Sequence, residues 1–237
     1  ANAGPRERLA KSLSKHKGPN WQHMVHQISE YTLSQLRTLP EGRTSFDFEG
    51  FKAPEYLLSP FLIRHENNLL FSPGGGGKSY LAELFIALLE SQCEHNLPWV
   101  IRPEQVRALM FDWERSYETN AYRFGQILLG LNLPIAWPDA PFNYQRFAQP
   151  LIQEVRNAQY LINKFNVNFI LCDSALGACG GDLFSPSAAG EYFRALNSLH
   201  AADGGPLTTL TLAHTAKNSE TGRKSAYGAA MWTNEPS

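Results

Sequence analysis

At 237 residues the chain has room for one sizeable domain or for one domain with an appendage, and a chain of that length can bury a proper core. Hydrophobic residues make up 43%, charged residues 18%, and the formal net charge is -1, so no global field draws the protein to nucleic acid or to a membrane surface, and any polyanion site must be local. The three cysteines, Cys93, Cys172 and Cys179, are widely spaced and form no C-x-x-C pair, which argues against a disulfide framework and for reduced, buried thiols in a cytoplasmic setting.

Residues 1 to 20 are polar and basic, with Arg6, Arg8, Lys11, Lys15 and Lys17 against Glu7, and read as a solvated arm; a weak nucleic-acid contact is the alternative. No apolar core follows them, so they do not read as a secretory signal, and no apolar run anywhere approaches the ~20 residues of a membrane span. From Trp21 the apolar residues Trp21, Met24, Val25, Ile28 and Leu36 fall on one helical face, predicting an amphipathic helix over 21 to 37. Residues 39 to 60, with Pro40, Gly42, Gly50, Pro54 and Pro60, read as an irregular connector. The chain then alternates. Apolar runs at Asn68 to Phe71, Ala108 to Asp112, Asn168 to Asp173 and Leu207 to Ala213 are separated by helical patterns, the signature of an α/β fold with a mainly parallel sheet and crossover helices. Leu81, Leu84, Phe85, Leu88 and Leu89 keep the helical spacing, and Ser185-Pro186 opens another helix that turns Phe193, Leu196 and Leu199 inward.

Between the first strand and its helix lies "SPGGGGKS", residues 72 to 79. Glycines let backbone amides approach phosphate oxygens without an intervening Cβ, and the helix that follows adds its orphan N–H groups and its positive dipole. The pattern G-x-x-x-x-G-K-[ST] after a strand and before a helix is a phosphate loop, here with Ser72 where the first glycine belongs. The nucleotide-binding candidates are Pro73, Gly74, Gly75, Gly76, Gly77, Lys78, Ser79 and Tyr80, with Lys78 reaching the β and γ phosphates and the Ser79 hydroxyl on Mg²⁺. A merely flexible surface loop is the alternative.

Three further strand ends supply partners. "VNFILCDS" ends with Asp173, a carboxylate at the carboxyl edge of a parallel sheet that can hold the Mg²⁺ shell. "ALMFDWERS" carries Asp112 and Glu114; Glu114 is the candidate general base for the water that attacks the γ phosphate, with Asp112 as its rival. "TTLTLAHTAK" brings His214 to the same edge, either as a sensor of the γ phosphate or as a structural hydrogen-bonder. Tyr117 and Tyr122, in the helix after Glu114, are candidates to stack on adenine, with core packing as the alternative.

With the order "SPGGGGKS", "FDWE", "ILCDS" and "LAHTAK", the chain resembles the RecA-like P-loop ATPases over about residues 56 to 230, and within them the plasmid and phage replicative helicases of the RepA and DnaB type. The resemblance implies ATP and Mg²⁺ as cofactors, Lys78, Glu114 and His214 as catalytic residues, Ser79 and Asp173 at the metal, and a ring-shaped homo-oligomer, such as a hexamer, translocating single-stranded DNA. It implies two channel loops, residues 175 to 186 and 215 to 227, the second carrying the basic candidates Lys217, Arg223 and Lys224 for the strand or for the neighbouring subunit's phosphates. On this reading residues 1–39 are a basic arm and linker helix that packs on an adjacent protomer or on its own domain, 40–59 a connector, and 60–237 the ATPase domain, expected to be shortened or divergent at its C-terminal side because the family's strands beyond the sensor do not follow. Two other readings stay open: a regulatory or assembly ATPase that moves no nucleic acid, which the near-neutral charge and the uncharged first loop favour, and a small-molecule kinase, which leaves Glu114 and His214 without clear roles.

Overall fold

A computed structural model describes residues 9, 11–13, 15, 20, 24–25, 53–134, 143–181 and 185–214. The chain divides into two units, residues 1–52 and 53–237. In the first, Met24 and Val25 of the expected amphipathic helix are helical and half-buried; the rest of that helix lies outside the described residues.

In the second unit the elements run β1 (Tyr56–Ser59), β2 (Leu62–Ile63), β3 (Asn67–Ser72), α1 (Lys78–Ser91), β4 (Val100–Ile101), β5 (Ala108–Asp112), α2 (Tyr117–Gly130), β6 (Asn143–Arg146), α3 (Leu151–Phe165), β7 (Phe169–Asp173), α4 (Ala175–Ala178), α5 (Pro186–Asn197) and β8 (Thr208–His214). Five strands pair in the order β3-β8-β7-β5-β6, every pair parallel. This is the α/β fold with a parallel central sheet that the sequence predicts, and the four expected strands are β3, β5, β7 and β8.

Period-two alternation divides the core. Leu109, Phe111, Ile170 and Cys172 face α3 and α5, whereas Met110, Phe169, Leu171, Leu210 and Leu212 face α1 and α2. Helix α1 is more deeply buried than its predicted stripe: Leu81 and Leu84 are half-buried, while Ala82, Glu83, Ile86 and Ala87 are sealed along with Phe85, Leu88 and Leu89. The cause is a second layer of partners, because α2 and the small antiparallel sheet β2-β1-β4 cover the side of α1 that a surface helix would expose. Burying Phe85, Ile86, Leu88 and Leu89 contributes about 1.5–3 kcal/mol each, which anchors the helix that carries Lys78. Serine caps begin two of the other helices: Ser116 caps α2 by accepting from the Thr119 amide at 3.4 Å, and Ser185, as the sequence predicts, caps α5 by accepting from the Ala188 amide at 3.3 Å with Pro186 in the first turn.

Two features depart from the sequence reading. Tyr56–Ser59, at the end of the stretch read as an irregular connector, is the central strand of the small sheet. The parallel sheet has an extra edge strand, β6, whose polar NYQR gives no apolar run because only one neighbour covers it; Asn143 is held by donating to the Ala108 carbonyl at 3.0 Å. Cys172 and Cys179 are buried as expected, Cys93 is half-buried, and none of the three is in a disulfide. No helix among the described residues is long and apolar enough to cross a membrane.

Candidate functional site

The register of the parallel sheet brings the four predicted strand ends to one edge: Ser72 pairs with His214, and Asp112 with Asp173. Between Ser72 and α1 the loop runs over Gly74 to Gly77, all exposed. Gly75 and Gly77 have φ of 76° and 80°, left-handed values that disfavour any side chain. Gly77 is also the N-cap of α1, so no side chain caps the helix and no acidic residue sits in its first turn. Those orphan amides and the positive end of the dipole therefore face an anion site unopposed. The Ser72 departure has a counterpart in Gly76: a Cβ there would stand 2.5 Å from Ser72 Oγ, so the serine is accommodated because residue 76 has none.

Lys78 is nearly buried at 8% exposure, and its ammonium donates to the Ser72 carbonyl at 3.3 Å, the Pro73 carbonyl at 3.5 Å and His214 Nδ1 at 3.2 Å. Burial pushes its pKa below the usual lysine value, with Asp173 and Glu114 opposing. With Nδ1 accepting, the His214 proton lies on Nε2, which faces Glu114 Oε1 at 3.9 Å. His214 thus stands between the phosphate-loop lysine and the acid after β5.

The two acids of "FDWE" have opposite surroundings. Asp112 is sealed, its carboxylate accepting from the Glu114 amide at 2.7 Å, the Arg115 amide at 3.2 Å, Asn120 Nδ2 at 2.6 Å and Tyr144 OH at 3.1 Å. Its acceptor capacity is filled by the turn it organises, and the Asp112 carboxylate in turn raises Tyr144 OH toward about 12, behind burial as the larger cause. Glu114 is exposed on the loop that follows and accepts from the Ser174 hydroxyl through Oε1. Asp173 is 3% exposed and accepts from Ser79 Oγ at 2.7 Å. Burial pushes its pKa up to about 6 against the Ser79 hydrogen bond, with Glu114 and Asp112 adding to the rise.

Lys78, Ser79, Asp173, Glu114 and His214 therefore converge. Tyr80 is 52% exposed, with the Arg123 guanidinium 4.7 Å from the centre of its ring. Tyr117 and Tyr122 are 57% and 70% exposed, so neither is a core residue. Lys217, Arg223 and Lys224, with the whole stretch 215 to 227, lie outside the described residues, as do 182–184 of the first loop. Three features went unread in the sequence: Ser174, the Asn120 and Tyr144 contacts to Asp112, and the Glu83–Arg123 pair at 2.6 Å, whose two side chains are 0% and 6% exposed. Glu83 carried a signal, since it is a charged residue one turn after Ser79 inside an otherwise apolar helix.

The residues fit the cofactors their pattern implies. A lysine desolvated against carbonyl oxygens is better matched by phosphate oxygens, and a buried Asp173 crowded by two further carboxylates is better matched by a cation. Mg²⁺ commonly takes one or two protein oxygens and completes its shell with phosphates and water, which suits the Ser79 and Asp173 pair.

A comparison with curated proteins gives no match. A family model described as AAA domain matches residues 32–220, from ahead of β1 to beyond β8, and so takes in the phosphate loop and all four strand ends. The chain belongs to the AAA domain family of P-loop ATPases.

Proposed function

We propose that this P-loop ATPase is a RecA-like motor of the RepA and DnaB helicase type, hydrolysing ATP in the presence of Mg²⁺ to translocate single-stranded DNA as a ring. The observation that supports the reading is His214 set between Lys78 and Glu114, the position from which a nucleotide sensor would touch the phosphate-binding lysine and face a general base. In this reading the loop amides of residues 74 to 79 and Lys78 bind the β and γ phosphates, and Ser79 and Asp173 hold the metal. Mg²⁺ supplies charge neutralisation on the phosphoryl oxygens. Glu114 takes a proton from the attacking water as the bond from γ phosphorus to the β–γ bridging oxygen breaks, ADP leaves with that oxygen, and inorganic phosphate remains. His214 registers the loss of the γ phosphate and passes it to the end of β8, beyond which Lys217, Arg223 and Lys224 are the proposed strand or neighbouring-subunit contacts. Residues 1–39 would serve as the arm and linker between protomers.

The test is ATP turnover by wild type, Lys78→Ala and Glu114→Gln, each with and without single-stranded DNA. Wild-type turnover should rise with the strand, Lys78→Ala should abolish it, and Glu114→Gln should lower kcat by about 10²–10⁴-fold, as expected for removal of a general base. Turnover indifferent to any polynucleotide, together with ATP-dependent self-association, would replace the motor with an assembly ATPase.

A further inference from the structure

Ser174 follows the proposed metal aspartate and is 1% exposed. It occupies the N-cap position of α4 with the extended backbone usual there, yet its side chain makes no capping hydrogen bond. Its hydroxyl instead donates to Glu114 Oε1, across to the loop that follows the neighbouring strand. Glu114 needs such a restraint. A glutamate on an exposed loop has several side-chain rotamers open to it, and a general base is effective only when its oxygen is aimed at one water. Two contacts limit Glu114: its amide donates to Asp112 Oδ1 at 2.7 Å, which fixes the backbone, and the Ser174 hydroxyl fixes the carboxylate on the side facing His214 Nε2 at 3.9 Å.

The geometry points to Ser174 as the positioning residue for Glu114, a buried hydroxyl that forgoes its helix cap to aim the general base at the phosphate site. This rests on the ATPase reading above. The role is one of orientation: the Ser174 hydroxyl acts through the Glu114 carboxylate to which it donates. Because the hydroxyl caps no helix, removing it should cost little stability.

The experiment measures kcat, KM for ATP, affinity for a non-hydrolysable ATP analogue, and Tm for wild type, Ser174→Ala, Ser174→Thr and Glu114→Gln. Ser174→Ala should lower kcat about 10-fold or more, the scale on which a misaimed catalytic group loses rate, with KM, analogue affinity and Tm unchanged. Ser174→Thr, which keeps the donor, should recover most of the rate. Turnover that collapses in Glu114→Gln but stays within twofold of wild type in Ser174→Ala overturns the role of Ser174 alone. So does a Ser174→Ala protein whose analogue affinity or Tm falls in step with kcat, since that marks a structural serine. Turnover left unchanged by Glu114→Gln overturns Glu114 as the general base, and the role of Ser174 with it, whereas absence of ATP turnover in the wild type overturns the ATPase reading itself.

Discussion

Gly76→Ala probes why this phosphate loop tolerates a serine in place of its first glycine. A Cβ at position 76 would lie 2.5 Å from Ser72 Oγ, 3.0 Å from the Pro73 carbonyl and 3.2 Å from Ser72 Cβ, where ordinary contact begins at 3.4 Å. Rotating the Ser72 hydroxyl away gives up its 3.2 Å hydrogen bond to the Pro73 carbonyl and still leaves that carbonyl and Ser72 Cβ too close. The loop itself must therefore shift by about 1 Å, an overpacking strain of about 1–3 kcal/mol. A shift of that size takes at least one loop amide out of hydrogen-bond range of a phosphate oxygen, and a bond to a charged acceptor contributes about 1.5–3 kcal/mol. One lost amide weakens nucleotide binding about 10- to 100-fold. The assay is titration of a fluorescent ATP analogue in Mg²⁺ against wild type, Gly76→Ala, Ser72→Gly and the double variant. Ser72→Gly removes two of the three close contacts, so in that background the alanine should weaken Kd only a few-fold, a coupling of about 1–2 kcal/mol between the positions. A Gly76→Ala affinity within twofold of wild type, or an equal loss in both backgrounds, would refute the steric account of Ser72.

Two further predictions concern buried charge. Arg123→Met leaves the sealed Glu83 carboxylate without its only cationic partner among the described residues and should cost about 3–5 kcal/mol by denaturant unfolding, while Arg123→Met with Glu83→Leu should regain most of that; a double variant no more stable than the single one would be inconsistent with a desolvation penalty. Glu90, half-buried near the C-terminal end of α1, has its pKa pushed up to about 7 by burial against the hydrogen bond it accepts from the Ala108 amide at 2.8 Å. A folded pKa above the unfolded value of 4.5 means that the native state holds this proton more tightly, so the stabilisation is complete below about pH 4.5 and is lost as pH rises through 7. The loss is about 2–3 kcal/mol, and Glu90→Gln, which keeps the acceptor for Ala108, should flatten the fall in unfolding free energy between pH 5 and 8 by that amount. An unchanged slope would show that Glu90 does not titrate as described.

The central strands that carry the acids were legible in the sequence because β5 and β7 are buried on both faces and read as apolar runs ending in Asp112 and Asp173, while β8 is buried but interleaves threonines before His214. The edge strand β6 and the small sheet were not, since β6 is polar and β2 and β4 are two residues long, too short for any periodicity. The phosphate loop could be read locally, from Gly77-Lys78-Ser79 between a strand and a helix, even with Ser72 in place of its first glycine. What joins the loop to its acids could not, because it depends on register and not on spacing. Ser174 lies 60 positions from Glu114 and Tyr144 lies 32 from Asp112; each pair meets only because β5 packs beside β7 on one side and β6 on the other.

The same register explains how neighbouring aspartates come to differ. Asp112 and Asp173 are paired across β5 and β7 and both are buried, so burial alone gives them the same chemistry. Hydrogen bonds separate them. Asp112 accepts from two amides, an asparagine and a tyrosine, which spread its charge over four donors and fix the turn from which Glu114 projects. Asp173 has the Ser79 hydroxyl, with Glu114 and Asp112 adding negative potential, and its carboxyl stays raised to about 6. Of the two, only Asp173 still lacks compensation for a full negative charge, and it lies against the serine that closes the phosphate loop. A divalent cation beside Ser79 would supply that compensation, stabilise the ionised Asp173 and relieve the desolvated Lys78 of its part in opposing the cluster. The proposed division of labour, with Asp112 as scaffold, Asp173 at the metal and Glu114 as base, thus follows from how many donors each carboxylate already has.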